Sequence, residues 1–360
     1  MATDQEIAAM RRALGLATSP DAARGPNPRV GAVILDGSGN VVGEGYHCGA
    51  GTPHAEVVAL ERAGEAARGG VAVVTLEPCQ HTGRTGPCTA ALVDAGVARV
   101  VFAQSDTNPI AAGGAAYLRA AGIDVEAGVM CEAALDVNPE WTLAVNEQRP
   151  FVTWKFAASL DGRVAAKDGS SQWITGDAAR ADVQRLRATV DAIMVGTGTA
   201  LRDDPRLTVR DPKLGSASPL RVVVGQRALP ERAKVLDDSA PTLLISSRDP
   251  VAVTDQLFAH GVRHVLLEGG PTLAGAFVEA KLVDRVVAYL APVLLGDGPN
   301  ALSGSGVETI ADAHRLNPES VEQVGSDLRI IATLRTASTG GLTPASAGSS
   351  KLMQQPRKGT

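Results

Sequence analysis

Residues 54–88 read HAEVVALERAGEAARGGVAVVTLEPCQHTGRTGPC. An imidazole and a carboxylate two positions apart, His54 and Glu56, open the segment. Residues 55–67 carry apolar side chains at helical spacing, and 71–76 (VAVVTL) is an apolar run of strand length. Pro78-Cys79 leaves that strand, and Cys88 opens the next predicted helix. Helix, strand and helix in succession predict an α/β layered unit. One His, one Glu and two Cys fall where these elements begin or end.

The pattern extends outward in both directions. Thr3 and Glu6 are spaced as a capping box, and Ile7, Met10, Leu14 and Ala17 share one helical face. Residues 30–35 and 41–46 read as strands around the turn DGSGN, and shorter apolar runs lie at 97–103 and 123–125. The pattern resets at 146–150, where Pro150 precedes a strand at 151–157. Further strands are expected at 192–195, 221–224, 242–246, 262–267 and 285–290. Helices are expected at 177–189, with Thr175 as cap, and at 272–281. This divides the chain into two α/β domains, 1–148 and 149–336. Residues 337–360 are rich in Gly, Ser, Thr and Pro and should be disordered, because they bury too little surface to offset chain ordering.

Composition narrows the function classes. A chain of 360 residues suits two domains better than one. A net charge of -5 with 3% aromatic residues argues against a nucleic-acid partner or an anionic membrane surface. Four cysteines do not make a disulfide scaffold. No apolar run approaches the roughly 18 residues of a membrane helix, and MATDQEIAAM lacks the pattern of a secretory signal. The expected setting is cytoplasmic, with reduced thiols.

One imidazole and two thiolates suit Zn²⁺, so His54, Cys79 and Cys88 are candidate ligands. Three protein ligands leave a tetrahedral position for water, whose pKa the ion lowers to roughly 7. Glu56 is placed to take a proton from that water and pass it to a departing amine. Zinc-dependent nucleobase deaminases carry the same H-x-E and P-C pattern. A closed structural site is the alternative, with Cys48 or His81 as fourth ligand. Otherwise His81 reads as a loop or substrate contact, and Cys48 and Cys131 as idle thiols. Pro26-Asn27-Pro28 is either an ordinary loop or a rigid turn that offers the Asn27 amide to a pyrimidine edge.

PNPRVGAVI (26–34), GEGYHCGAGTPHAEVVAL (43–60) and VTLEPCQHTGRTGPC (74–88) resemble the deaminase domain of the bifunctional riboflavin biosynthesis deaminase/reductases. TWKFAASLDGR (153–163), SSQWITG (170–176), DDPRLTVR (203–210) and LLEGGPTLAGAF (266–277) resemble that family's reductase domain. The resemblance implies a cytidine-deaminase-like three-layer domain followed by a dihydrofolate-reductase-like domain. It implies Zn²⁺ and NADPH as cofactors, and a small phosphoribosyl pyrimidine as substrate. Deamination of 2,5-diamino-6-(5-phosphoribosylamino)pyrimidin-4-one would precede reduction of the ribosyl group to ribityl. A homodimer or higher homo-oligomer through the reductase domain is implied as well. Three positions depart from the family pattern: Gly86 and Thr107, where it has prolines, and Gly225, where it often has Asp.

Two Gly-bearing turns punctuate the second half, Gly196-Thr197-Gly198-Thr199 and Glu268-Gly269-Gly270-Pro271-Thr272. Gly lets a phosphate approach the backbone, and a helix N-terminus favours the anion. By the resemblance, Ala157, Trp173, Thr199 and Asp203 touch the nicotinamide cofactor. Gly270, Pro271, Thr272, Leu273, Ala274, Gly275 and Ala276 would hold its pyrophosphate. Ser171, Arg187, Leu207, Arg210 and Glu268 would meet the substrate, and Lys155 is a further candidate. Arg187 and Arg210 suit a phosphate, which guanidinium grips bidentately. The proton donor for reduction stays open among Asp203, Glu268 and bulk water, and Arg227 is one candidate for the cofactor's 2′-phosphate. Two rival readings are a nucleoside or tRNA deaminase fused to an unrelated reductase, and a non-catalytic zinc-stabilised nucleotide-binding module. The second gives no role to Glu56.

Overall fold

The computed structural model describes residues 1–19, 22, 25–81, 86–214 and 218–334. The tail at 337–360, expected to be disordered, lies outside the described residues.

The first half contains α1 (Asp4–Ala17), β1 (Gly31–Leu35), β2 (Val41–Tyr46), α2 (Ala55–Ala63), β3 (Val71–Leu76), α3 (Cys88–Ala95), β4 (Arg99–Gln104), α4 (Gly114–Ala120), β5 (Asp124–Ala127), α5 (Cys131–Leu135) and α6 (Pro139–Glu147). The capping box is present: Thr3 Oγ1 accepts from the Glu6 N–H at 3.2 Å, and Glu6 Oε2 accepts from the Thr3 N–H at 2.7 Å. The sheet order is β2-β1-β3-β4-β5. β1 pairs antiparallel with β2 and β3, and β3, β4 and β5 run parallel. Side chains alternate across the sheet. Ala32 and Ile34 therefore pack with Ala55, Ala59 and Leu92 on one face, and Val33 and Leu35 with Met10 and Ala13 on the other. The result is three layers. Each fully buried large side chain, such as Met10, Ile34 or Leu92, contributes roughly 1.5–3 kcal/mol.

Two glycines of β2 seat α2. A Cβ on Gly43 would lie 2.1 Å from Ala59 O, and one on Gly45 would lie 2.3 Å from Ala55 O. The helix backbone thus rests directly on the strand, which brings its first residues against the sheet. α2 was expected to reach residue 67. It ends at Ala63 because Gly64 turns left-handed (φ +53), and one 3₁₀ turn completes the segment.

The second half contains β6 (Phe151–Ser159), α7 (Asp177–Arg187), β7 (Ala192–Gly196), α8 (Thr197–Asp203), β8 (Leu220–Val224), β9 (Thr242–Ile245), α9 (Pro250–Ala259), β10 (His264–Leu267), α10 (Pro271–Glu279), β11 (Arg285–Ala291), β12 (Leu316–Val324) and β13 (Asp327–Leu334). The sheet order is β12-β13-β11-β6-β10-β7-β8-β9. It is parallel from β11 to β9 and antiparallel at β13 and β12. Val152, Met194, Val222 and Val265 pack beneath Val253, Leu257 and Phe277 of α9 and α10. On the opposite face, Ile193, Val223 and Leu266 meet Ala200 of α8, while Val287 and Tyr289 meet Ala179 and Val183 of α7.

Some expectations need correction. Thr175 does not cap α7: the N-cap is Gly176, whose N–H donates to Asp327 Oδ2 at 2.8 Å. The α9 start and the β12–β13 hairpin were not anticipated. α9 is announced by Asp249, whose side chain accepts from the Val251 N–H, with Pro250 at the first helical position. β12 (LNPESVEQV) is polar and mostly exposed, so it lacks the apolar run that marked the buried strands.

Between the halves the chain is pinned by a partly buried fork. Arg149 donates to Asp284 Oδ2 at 2.8 Å and Oδ1 at 2.7 Å, and Asp284 Oδ2 also accepts from the Val152 N–H at 2.7 Å.

Candidate active sites

The first site forms where α2 and α3 begin beside the exit from β3. His54 is the N-cap residue of α2, Glu56 lies in its first turn, Cys79 follows β3, and Cys88 is the first residue of α3. His54 Nδ1 lies 3.1 Å from Cys88 Sγ and 3.6 Å from Cys79 Sγ, and the three ligand atoms all fall within 4.8 Å of one another. Glu56 is buried beside them. The Cys88 thiol, acting as a donor, pulls Cys79 down to about 4, helped by His54 and opposed by burial. The same bond and burial push Cys88 up. Burial, then the charge on Cys79, pushes Glu56 up to about 7.

This donor set fits Zn²⁺. It is soft, convergent and buried, and one thiol is already drawn towards thiolate. Cys48 is exposed, and neither it nor His81 joins the cluster among the described residues. Three protein donors with a buried carboxylate alongside match an open site better than a closed structural one.

Asn27 belongs to this site through a residue that sequence reasoning passed over. Its amide Nδ2 lies 3.0 Å from His47 Nε2. His47 Nδ1 lies 3.1 Å from Pro53 O, and the ring packs edge-on against His54 with centroids 5.3 Å apart. One tautomer satisfies both contacts: Nδ1–H donates to Pro53 O, and Nε2 accepts from Asn27. Burial holds His47 below its ordinary value, in keeping with a neutral ring. Its only sequence signal was its place seven positions before His54.

The loop departures are accommodated locally. Thr107 Oγ1 donates to Asn146 Oδ1 at 2.6 Å, which ties the loop where proline was expected. A Cβ on Gly86 would meet nothing within 4 Å. Glu77 ties the loop after β4 to the start of α4, accepting from the N–H groups of Asp106 (3.2 Å) and Ala115 (2.9 Å).

The second site is a cavity of about 310 Å³ between β6, α7 and the start of α10. It is lined by Lys155, Ala157, Ser171, Trp173, Arg187, Thr199, Asp203, Arg210, Glu268, Gly270 and Pro271. Leu207 is buried in the core and borders an adjacent recess of about 360 Å³, where it can offer a ligand little beyond its backbone. Trp173 is 65% exposed at the mouth, with the Arg180 guanidinium 4.5 Å from its ring centroid.

One expected role changes. Arg187 is not an open phosphate clamp. Its Nε and Nη2 donate to Glu268 at 2.7 and 2.6 Å, and Nη1 donates to Thr208 O at 3.1 Å. Burial opposes the charge on Glu268, but Arg187 holds its carboxyl below the usual range. Lys155 sits over the Tyr289 ring, 5.9 Å from its centroid. Burial lowers its pKa, and Glu268 opposes that effect. Arg210 is exposed, and its guanidinium makes no hydrogen bond or ion pair among the described residues, so it is the free cation at the mouth.

The pyrophosphate assignment narrows as well. Gly270 is the N-cap of α10 and Pro271 has no N–H, so Thr272 and Leu273 carry the free donors. The Ala274 N–H is already bonded to Gly270 O at 3.0 Å. Ala274 and Gly275 are buried, and a Cβ on Gly275 would lie 1.8 Å from Ser303 O. Gly275 is therefore a packing glycine, and Ala276 lies a turn inside the helix. Thr199 Oγ1 is buried without a partner and lies 3.1 Å from where a Gly270 Cβ would stand. An orphan hydroxyl facing a helix N-terminus fits a dinucleotide phosphate.

Comparison with known proteins bears on both sites. A family model of the cytidine and deoxycytidylate deaminase zinc-binding region matches residues 3–104, and the RibD C-terminal domain matches residues 150–330. The riboflavin biosynthesis protein RibD of Mycobacterium tuberculosis is 51% identical over 313 residues, which cover 86% of this chain and 92% of that protein. The chain belongs to the RibD family. RibD of Escherichia coli is 42% identical over 355 residues, covering 89% of this chain and 96% of that one. The solved structure of Acinetobacter baumannii RibD has a TM-score of 0.83 at 38% identity and covers 92% of this chain and 99% of its own. The RibD resemblance spans both halves in order. It makes the chain a bifunctional deaminase and reductase of riboflavin biosynthesis, with a cytidine-deaminase-like domain followed by a dihydrofolate-reductase-like one. The two domains fit Zn²⁺ and NADPH. No helix among the described residues is long and apolar enough to cross a membrane.

Proposed function

We propose that this chain deaminates 2,5-diamino-6-(5-phosphoribosylamino)pyrimidin-4-one at the first site and reduces the ribosyl group of the product at the second, giving 5-amino-6-(5-phosphoribitylamino)uracil. The observation that carries the reading is the convergence of His54, Cys79 and Cys88 beside buried Glu56 in a chain that also holds the Lys155–Glu268–Arg187 cleft. A solved relative from Thermotoga maritima, 30% identical with a TM-score of 0.80, is a diaminohydroxyphosphoribosylaminopyrimidine deaminase/5-amino-6-(5-phosphoribosylamino)uracil reductase.

His54, Cys79 and Cys88 would hold Zn²⁺, which would supply the Lewis acidity that makes water nucleophilic near neutral pH. Glu56 takes a proton from that water and delivers it to the leaving amine. Asn27 orients the pyrimidine edge, and His47 fixes the direction of its amide. The second site would hold NADPH, which would supply the hydride for reduction at C1 of the ribosyl group. Lys155 and Glu268 face the sugar, and Arg187 keeps Glu268 ionised and in place. The domain division is drawn at 148/149. The setting is cytoplasmic. A homo-oligomer through the reductase half is supported by the edge position of β12 and by Val321 (61% exposed) and Leu328 (41%), which share one face of the hairpin.

Arg210 supplies the test. Arg210→Ala is expected to raise KM for the phosphorylated intermediate by about tenfold or more, the worth of one charge-assisted contact, and to leave deamination unchanged. Assaying both steps with phosphorylated and dephosphorylated substrates checks this. Equal loss on both substrates would remove Arg210 from the phosphate.

A further inference from the structure

In the second sheet, strands β6, β10, β7, β8 and β9 are adjacent and parallel, so their C-terminal ends form one rim. Ligands of open α/β sheets bind outside such ends. The cavity occupies the β6 end of the rim, and α10 begins beyond β10. A dinucleotide with its nicotinamide in the cavity and its pyrophosphate at α10 can carry its adenosine onward over β7 towards β8.

That path meets a bare turn and a cation. Gly198, in the first turn of α8, has no side chain, and the space is taken by Arg227: a Cβ on Gly198 would lie 2.8 Å from Arg227 Nη2. Arg227 leaves β8 through Gly225, whose left-handed backbone (φ +133) brings it so close to α8 that a Cβ there would lie 2.7 Å from Thr197 Oγ1. The guanidinium is thus laid along the rim. Arg227 is exposed, and it makes no hydrogen bond or ion pair among the described residues. β10 and β8 are two strands apart, about 10 Å, a span that a ribose bearing a 2′-phosphate can bridge. A planar, unengaged guanidinium matches a phosphate dianion bidentately.

We propose that Arg227 binds the 2′-phosphate of NADPH and sets the preference for NADPH over NADH. The proposal rests on reading the cleft as the cofactor site. It adds a specificity residue beyond the motifs that carry that reading.

The test is binding, followed by calorimetry with the full zinc-loaded chain and NADP⁺, NAD⁺ and 2′,5′-ADP as probes. Arg227→Ala is expected to weaken NADP⁺ and 2′,5′-ADP by about 10- to 100-fold, and NAD⁺ by less than about twofold. Arg227→Lys should recover part of the loss, because a point charge replaces the fork. Arg248→Ala, in the loop between the neighbouring β9 and α9, should bind NADP⁺ like the parent. An unchanged NADP⁺/NAD⁺ ratio in Arg227→Ala, or a loss carried by Arg248→Ala instead, overturns the assignment. If the parent chain binds none of the probes, the reading of the cleft falls first and this inference falls with it.

Discussion

Glu56→Gln is expected to retain stoichiometric zinc and to slow deamination by about 10²–10⁴-fold, the range of a lost general acid–base group. The substitution keeps the shape and burial of the side chain but removes the only carboxylate in the first turn of α2. His54, Cys79 and Cys88 need no help from Glu56 to converge, since two helix starts and a strand exit place them. Metal analysis of the variant, with separate assays of deamination and NADPH oxidation, checks both halves of the expectation. Reduction of the already deaminated substrate should be untouched. Turnover at the parent rate would remove Glu56 from the chemistry. Loss of zinc would make it a structural support. The rival reading as a binding module gives Glu56 no task and expects no change in either measurement.

Glu268→Ala is expected to destabilise the second half by about 3–5 kcal/mol and to abolish measurable reduction. The ion pair it breaks is buried, with side-chain exposures of 11% for Arg187 and 10% for Glu268. Removing one partner strands the other charge, which costs more than the pair contributes when intact. Lys155 would lose its counter-charge as well. The sign with pH follows from the direction of the Glu268 shift. Its folded pKa lies below the ordinary 4.5, so the stabilisation is fully present above that value and is lost as acid protonates the carboxylate. Thermal unfolding with separate assays of the two activities measures this. A Glu268→Ala variant that melts with the parent chain would contradict a buried, mutually dependent pair.

The two sites were unequally legible. The zinc donors lie within a span short enough for local spacing to reveal them, and each sits at the start of a helix or the end of a strand that its neighbours predict. Asn27 could be named but not placed, because its tie is to His47, twenty positions away, and through that ring to His54. The reductase cleft was read through motif resemblance. Motifs name residues without saying which way they turn, so Arg187 read as a phosphate clamp although its partner, Glu268, lies 81 positions on. Ala274 and Gly275 read as phosphate contacts although helix packing claims them. In the fold, buried strands announced themselves by apolar runs. β12 did not, because an edge strand with solvent on it has no such run to show.

The central claim is that two separable sites act in series on one substrate. The most direct measurement is NADPH oxidation with the diamino substrate and with its deaminated product, each with and without a tight zinc chelator. The account predicts that the chelator abolishes NADPH consumption from the diamino substrate and leaves consumption from the deaminated product unchanged. NADPH consumption from the diamino substrate that persists in the chelator would contradict it, as would a chelator that stops both reactions.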